Sequence, residues 1–183
     1  VLVRHAAEDG LCATITPHST YSLNEALFRE AVGPDSNTPL SIHFMESPGE
    51  EELFEGRGEM HQWYERAGMQ TDFTGKYSSP SQRIVENIPS SRKIMLVHNT
   101  CIKDRDIDIL ASHFGDNLIF VLCPLSNRYI TGEQPPVGLL RNRGVRIAVG
   151  TDSLASNTSL SMTAEIKALM EMSGNRVGGG PSL

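Results

Sequence analysis

The sequence predicts an α/β fold of about five consecutive strand–helix units around a parallel sheet. Three observations carry that expectation. Short apolar runs alternate along the chain with segments whose apolar residues recur at helical spacing. Two of those runs, Lys93-Ile94-Met95-Leu96-Val97-His98 and Leu118–Cys123, are nearly continuous, as parallel strands buried on both faces require. The residues that close successive runs are also chemically alike: His18, His43, His98 and Asp152.

Composition narrows the class. The chain has 183 residues, 39% hydrophobic and 21% charged, which fits one soluble globular unit with a sizeable core. A formal net charge of -6 argues against nucleic-acid binding and against attachment to an anionic membrane. No apolar run approaches ~20 residues, and no basic segment followed by an apolar one opens the chain. Cys12, Cys101 and Cys123 are widely spaced and odd in number, which fits a reduced, cytoplasmic setting with thiols that pack instead of reacting.

Taken in order, residues 1–12 carry mixed charge and stop at Gly10, as the end of a helix would. Ala13–His18 reads as the first strand, ended by Pro17. Ser22 with Glu25 forms a capping-box pattern, and Leu23, Ala26, Leu27 and Ala31 follow on one helical face up to Gly33-Pro34. Asp35–Pro39 reads as a polar loop. Ser41–Met45 alternates Ile42 and Phe44 with His43 and Met45, a short strand. Ser47-Pro48-Gly49-Glu50 is a second capping-box pattern with Pro at the first helical position. Gly56 and Gly58 break that helix. Met60, Trp63, Tyr64 and Ala67 set the stripe of the next one, with His61 off the stripe and solvated.

Pro80–Ile88 is a short helix through Ile84, Val85 and Ile88. The Lys93–His98 strand, a helix over Asp104–Phe114, and the Leu118–Cys123 strand closed by Pro124 come next. Pro135-Pro136 opens a short helix that ends near Gly144. Val145–Val149 is the last strand, Leu160–Met172 the last helix, and the Gly-rich tail from Gly174 to Leu183 reads as a flexible appendage to a domain at 1–173.

A lone histidine at a strand end is as well explained by ordinary packing. Several at the same end of successive parallel strands are a site expectation, because in a barrel all strand C-termini share one face. Imidazole with carboxylate is a usual zinc donor set. Ser126, Asn127, Ser153, Ser156 and Asn157 read first as turn formers.

The motifs are then specific enough to name a resemblance. His43-Phe44-Met45-Glu46, Leu96-Val97-His98-Asn99, Cys123-Pro124-Leu125-Ser126-Asn127 and Gly150-Thr151-Asp152-Ser153-Leu154-Ala155-Ser156-Asn157 resemble the amidohydrolase superfamily. The branch is that of mononuclear-metal deaminases and chlorohydrolases of nitrogen heterocycles, and Thr16–Ser22 is similar to a further segment of it. The resemblance implies a partial (β/α)8 barrel, with strands corresponding to the fourth through the eighth. It implies His43 and Asp152 as ligands of one divalent metal, zinc ahead of iron, with Asp152 also taking a proton from the activated water. Glu46 would carry that proton to the ring nitrogen and leaving group, His98 would hydrogen-bond the water, and His18 would contact a small heterocyclic substrate.

Two departures qualify this. The family takes two further ligands from a His-x-His on its first strand, and none occurs here. A whole barrel needs about 250 residues. The expectation is therefore part of a metal-dependent deaminase, inactive alone. Dechlorination by the same chemistry and a truncated non-catalytic α/β domain are the alternatives. An open sheet would hide its edges by self-association into a homo-oligomer, or under Val1–Cys12 or the tail.

Overall fold

The computed structural model describes residues 2–33, 38–69 and 71–172. The Gly-rich tail and the centre of the loop expected at Asp35–Pro39 lie outside these residues.

Four parallel strands, β1 (Leu40–Phe44), β2 (Ile94–His98), β3 (Leu118–Leu122) and β4 (Ile147–Val149), form one sheet in the order β1-β2-β3-β4. Two helices precede the sheet, α1 (Leu2–Glu8) and α2 (Glu25–Val32). Between β1 and β2 run α3 (Pro48–Phe54), α4 (Gly58–Arg66) and α5 (Pro80–Asn87). Next, α6 (Asp104–Phe114) with a 3-10 turn links β2 to β3, and α7 (Pro124–Ile130) with α8 (Val137–Asn142) links β3 to β4. After β4 comes α9 (Met162–Met172). The register pairs Phe44 with His98, Val97 with Val121 and Leu122 with Val149, so the strand C-termini line up along one edge.

Burial alternates along the first three strands. Leu40, Ile42, Phe44, Ile94, Leu96, Leu118, Phe120 and Leu122 face the helices and are packed by Phe28, Ile84, Ile107, Leu110 and Leu140. Ser41, His43, Met95, Val97, Ile119 and Val121 lie on the other, half-buried face. Each fully buried Leu, Ile or Phe on the helix side contributes roughly 1.5–3 kcal/mol. That core fixes the sheet; the opposite face is left to chemistry. A second cluster, Leu53, Phe54, Tyr64, Phe73 and Tyr77, packs α3, α4 and the loop after them beside the end of β1.

The expected strand at Ala13–His18 does not form. Among its residues the backbone ladder is replaced by a side chain: Thr16 Oγ1 accepts from Ser41 N–H at 3.0 Å and donates to Ser41 O at 2.6 Å. His18 O accepts from His43 N–H at 3.0 Å, and a single bridge, Ser19 to His43, follows. Pro17 has no N–H to offer a ladder. The segment therefore covers the edge of β1 as an extended strap, and four strands stand where five were expected.

Both capping boxes are corrected. Asn24 caps α2, its Oδ1 accepting from Leu27 N–H at 2.9 Å, while Ser22 Oγ is buried without a hydrogen-bond partner. Ser47 occupies the cap position of α3 and Pro48 opens the helix as expected, but the Ser47 side chain makes no cap bond. Glu50 turns inward instead. On α4 the expected stripe is narrower: Tyr64 is buried while Trp63 is 52% exposed. Leu118–Leu122 is closed by a helix, α7, that the Pro124 stop signal did not suggest.

Candidate functional site

His43, the last residue but one of β1, lies on the half-buried face, and its ring is 4.8 Å from the His18 ring and 4.8 Å from the His98 ring, centroid to centroid. His98 arrives there by an unusual route. It shares strand parity with Ile94 and Leu96, which face the helices, yet its φ of 79° breaks the pleat and its ring meets His43 edge-on. Met45 (φ 46°), Asn99 (φ 57°) and Asp152 (φ 56°) also sit at strand ends in the left-handed region. Such strain in non-glycine residues persists where the surroundings over-determine it, and it gathers at functional sites. Asn99 supports the β2 turn by donating Nδ2–H to Leu96 O at 2.7 Å and Val121 O at 3.2 Å.

His98 is fully buried. Its Nδ1 lies 2.8 Å from Asn127 Oδ1, which accepts from it and fixes the orientation of the ring. Its Nε2 has no hydrogen-bond partner and lies 3.6 Å from Glu46 Oε1. His43, Glu46 and His98 place one donor atom each within 4.8 Å of one another. Burial, then the neighbouring His98 and His18, push His43 down to about 4 against the opposing charge of Asp152. It is a neutral imidazole at pH 7 and free to offer a lone pair.

Asp152 stands at the end of β4. Burial alone would raise its carboxyl, but hydrogen bonds from Ser156 and Ser126, with His98 and His43 nearby, outweigh that and hold it below the ordinary range. Ser126 Oγ donates to Oδ2 at 2.8 Å, and Ser156 Oγ donates to the same oxygen. Replacing both serines by Ala should move the Asp152 titration upward in a carbon-13 NMR pH series. An unchanged titration would mean the hydroxyls do not hold its charge.

Of the residues expected to act, His43, Glu46, His98 and Asp152 are brought to one place, with His18 exposed at the mouth. Ser126 and Asn127 prove to be more than turn formers. They sit in the first turn of α7, so that one faces Asp152 and the other His98. Glu50 was read only as a cap. It is 1% exposed, accepts from Thr20 Oγ1 and from Glu46 N–H (3.3 Å), and thereby backs the loop that carries Glu46. The signal was its place in a His-x-x-Glu-x-x-x-Glu spacing, which puts it on the inner side of α3. Two of the thiols are held in the protonated, unreactive form: burial first pushes Cys101 to about 11 and Cys123 to about 12.

Burial also pushes Glu50 up to about 8, against hydrogen bonds from Thr20 and the backbone of Glu46 and Met45. Folded Glu50 therefore keeps its proton over a range where the unfolded carboxyl, near 4.5, has lost it. Its contribution is complete below the unfolded value and is lost as pH rises toward 8, since the native state binds the extra proton. Stability should fall by on the order of 2–4 kcal/mol across that window. Glu50→Gln should flatten the fall and melt above the parent at pH 8. Parallel melting curves for the two proteins against pH would refute this.

The fold and site together define a class: an α/β protein with histidines and carboxylates gathered at the C-terminal edge of parallel strands, suited to holding one divalent metal. The sequence profile of the Amidohydrolase family matches residues 2–180, and the chain belongs to that family. It is 28% identical over 163 residues to an adenosine deaminase of Helicobacter pylori, covering 87% of this chain and 39% of that protein. To a 5-methylthioadenosine/S-adenosylhomocysteine deaminase of Teredinibacter turnerae it is 32% identical, covering 83% and 30%. Among solved structures, Helicobacter pylori aminofutalosine deaminase superimposes with a TM-score of 0.74 at 27% identity, covering 88% of this chain and 40% of that one. A zinc-bound adenosine deaminase from Xanthomonas campestris shares the fold, with a TM-score of 0.67 at 23% identity. The chain thus spans about two fifths or less of the length of these relatives, and its four strands are part of a barrel. No helix among the described residues is long and apolar enough to cross a membrane.

Proposed function

We propose that this chain is the catalytic part of a metal-dependent deaminase acting on an adenosine-type amino-heterocycle. The observation that carries the reading is the convergence of His43, Glu46, His98 and Asp152 at the strand ends. The family membership and the deaminase relatives support it. The donor chemistry fits a metal: a neutral imidazole on His43, a charge-stabilised Asp152 beside it, and an orphaned Nε2 on His98. His43 and Asp152 would hold it, zinc ahead of iron. A bound divalent metal lowers the pKa of a coordinated water from 15.7 toward ~7.

The chain's own residues handle the protons. Hydrolytic deamination replaces a ring amine by an oxygen from water and releases ammonia, so a proton must reach the ring nitrogen and another the leaving amine. Glu46 is half-buried and reaches toward His98, and its loop is fixed by Glu50, so it can pick up a proton and deliver it at both points. Asp152, held anionic, accepts the first proton. Asn127 keeps the His98 ring in one orientation with Nε2 facing the reacting oxygen. His18, exposed beside His43, would contact the heterocycle.

The test is ammonia release by the metal-loaded complete enzyme on adenosine, 5′-deoxyadenosine, 5-methylthioadenosine, guanine and a chloro-substituted purine. Deamination of an adenosine analogue with kcat/KM well above that on guanine supports the reading. Chloride release without ammonia, or no turnover on any of them, rejects it.

A further inference from the structure

We propose that Glu165 is a positioning residue of the deaminase site: from α9 it braces the two chain segments that hold His98 and Asp152. The inference rests on the roles given above to those two residues, and it adds a side chain from outside the strand ends.

The inward face of α9 carries Glu165, Ala168, Leu169 and Met172, at i, i+3, i+4 and i+7. Three of them pack as an apolar stripe should. Glu165 stands at the head of the stripe and is 0% exposed. A carboxylate is costly to bury unless its oxygens accept hydrogen bonds, and both of these do. Oε2 accepts from Leu125 N–H at 2.9 Å, and Oε1 accepts from Asn157 Nδ2–H at 2.6 Å. The two donors belong to different segments, the first turn of α7 and the loop after β4.

Each arm of this brace runs on into the site. Cys123 occupies the cap position of α7 without a side-chain cap bond, and Pro124 has no N–H. Glu165 therefore caps α7 from another helix, through Leu125 N–H. The next two residues are Ser126, which donates to Asp152 Oδ2 at 2.8 Å, and Asn127, whose Oδ1 accepts from His98 Nδ1 at 2.8 Å. In the other arm, Asn157 Nδ2 also donates to Thr151 O at 2.9 Å, one residue before Asp152. Asp152 has a φ of 56°, a conformation that its surroundings must hold. Asn157 Oδ1 accepts from Thr158 N–H at 2.8 Å, so that side chain is not free to follow a displaced Glu165.

One carboxylate thus sets the separation between the turn that orients His98 and the turn that carries Asp152. A carboxylate accepts at both ends, whereas an amide accepts at one and turns N–H toward a donor at the other. Glu165→Gln keeps the volume and breaks one arm.

The experiment uses the complete enzyme labelled with nitrogen-15 histidine, with a melting curve for each variant. The His98 Nδ1 proton, identified as the signal lost in Asn127→Ala, should shift or exchange faster in Glu165→Gln. In that variant kcat should fall by about 10–100-fold while KM stays within about twofold of the parent. Where Ser126 and Asn127 are already Ala, adding Glu165→Gln should cost less than about threefold, because its effect passes through them. Lost packing alone would multiply with theirs. Glu165→Asp keeps the charge but is one methylene too short to span both donors, and it carries the same measurements if Glu165→Gln does not fold. An unmoved His98 signal, or a loss in kcat that stays multiplicative in the combined variant, would overturn the proposal. A parent enzyme that releases no ammonia rejects the deaminase reading instead, and the histidine signal still decides what Glu165 holds.

Discussion

In the complete enzyme, Glu46→Gln is expected to reduce turnover by roughly 10²–10⁴, the usual worth of positioned proton transfer, while metal content stays near that of the parent. The amide has the size of the carboxylate and keeps the loop, since it is Glu46 N–H, not its side chain, that bonds Glu50. What it loses is the ability to take up a proton and give it back. His43→Ala should instead lose both metal and activity. The pair is read by kcat at saturating substrate together with metal per protein. A loss in kcat and kcat/KM alike marks an interaction made in the transition state. Near-parental turnover in Glu46→Gln would remove it from the mechanism.

Most of the scaffold was legible because it is written in apolar periodicity. The helix over Asp104–Phe114 begins and ends where its spacing says, and Ile94–His98 and Leu118–Leu122 are the continuous runs that parallel strands need. Ala13–His18 misled because alternation says nothing about who supplies the hydrogen bonds; Thr16 Oγ1 took the place of a backbone ladder. The two Ser-x-x-Glu patterns misled for a related reason. Glu25 and Glu50 found stronger partners far away in sequence, and no local rule could weigh those against a cap.

At the site, His43, Glu46, His98 and Asp152 were visible as strand-end residues. Their mutual orientation was not. It depends on backbone at positive φ in His98 and Asp152, on Asn127 and Ser126 in the first turn of α7, and on Ser156 in the loop after β4. Side chains that act by holding other side chains leave no period in the sequence. They become readable only when the turn that carries them is seen to be the first turn of a helix.

Arg83 is the other such residue, and its removal should produce the largest loss of stability in the chain. It lies on α5 with 0% of its side chain exposed. Its guanidinium is sandwiched between the Phe28 and Phe73 rings, 4.3 and 4.4 Å from their centroids. It donates to Thr20 O at 2.6 Å and Leu23 O at 3.1 Å, and pairs with Glu25 at 3.0 Å. One cation therefore joins α2, α5, the second core cluster and the segment that follows His18. Burial works against its charge and lowers its pKa, with Glu25 opposing the shift. Arg83→Ala leaves Thr20 O and Leu23 O without their partner, removes one of the cations around Glu25, and opens a gap between two aromatic rings. Breaking a buried pair by removing one partner costs about 3–5 kcal/mol. At roughly 2–4 °C per kcal/mol for a chain of this size, calorimetry should show a drop in Tm of about 6–20 °C. Glu25 keeps Lys76 at 2.5 Å and Tyr77 at 2.7 Å, so the strap holding His18 should loosen before the sheet itself melts. Hydrogen exchange resolves that order: amides of residues 19–28 should lose protection in Arg83→Ala while those of β2 and β3 keep theirs. Equal loss across the sheet, or a Tm within about 2 °C of the parent, would show that the guanidinium is replaceable packing and not the tie between these elements.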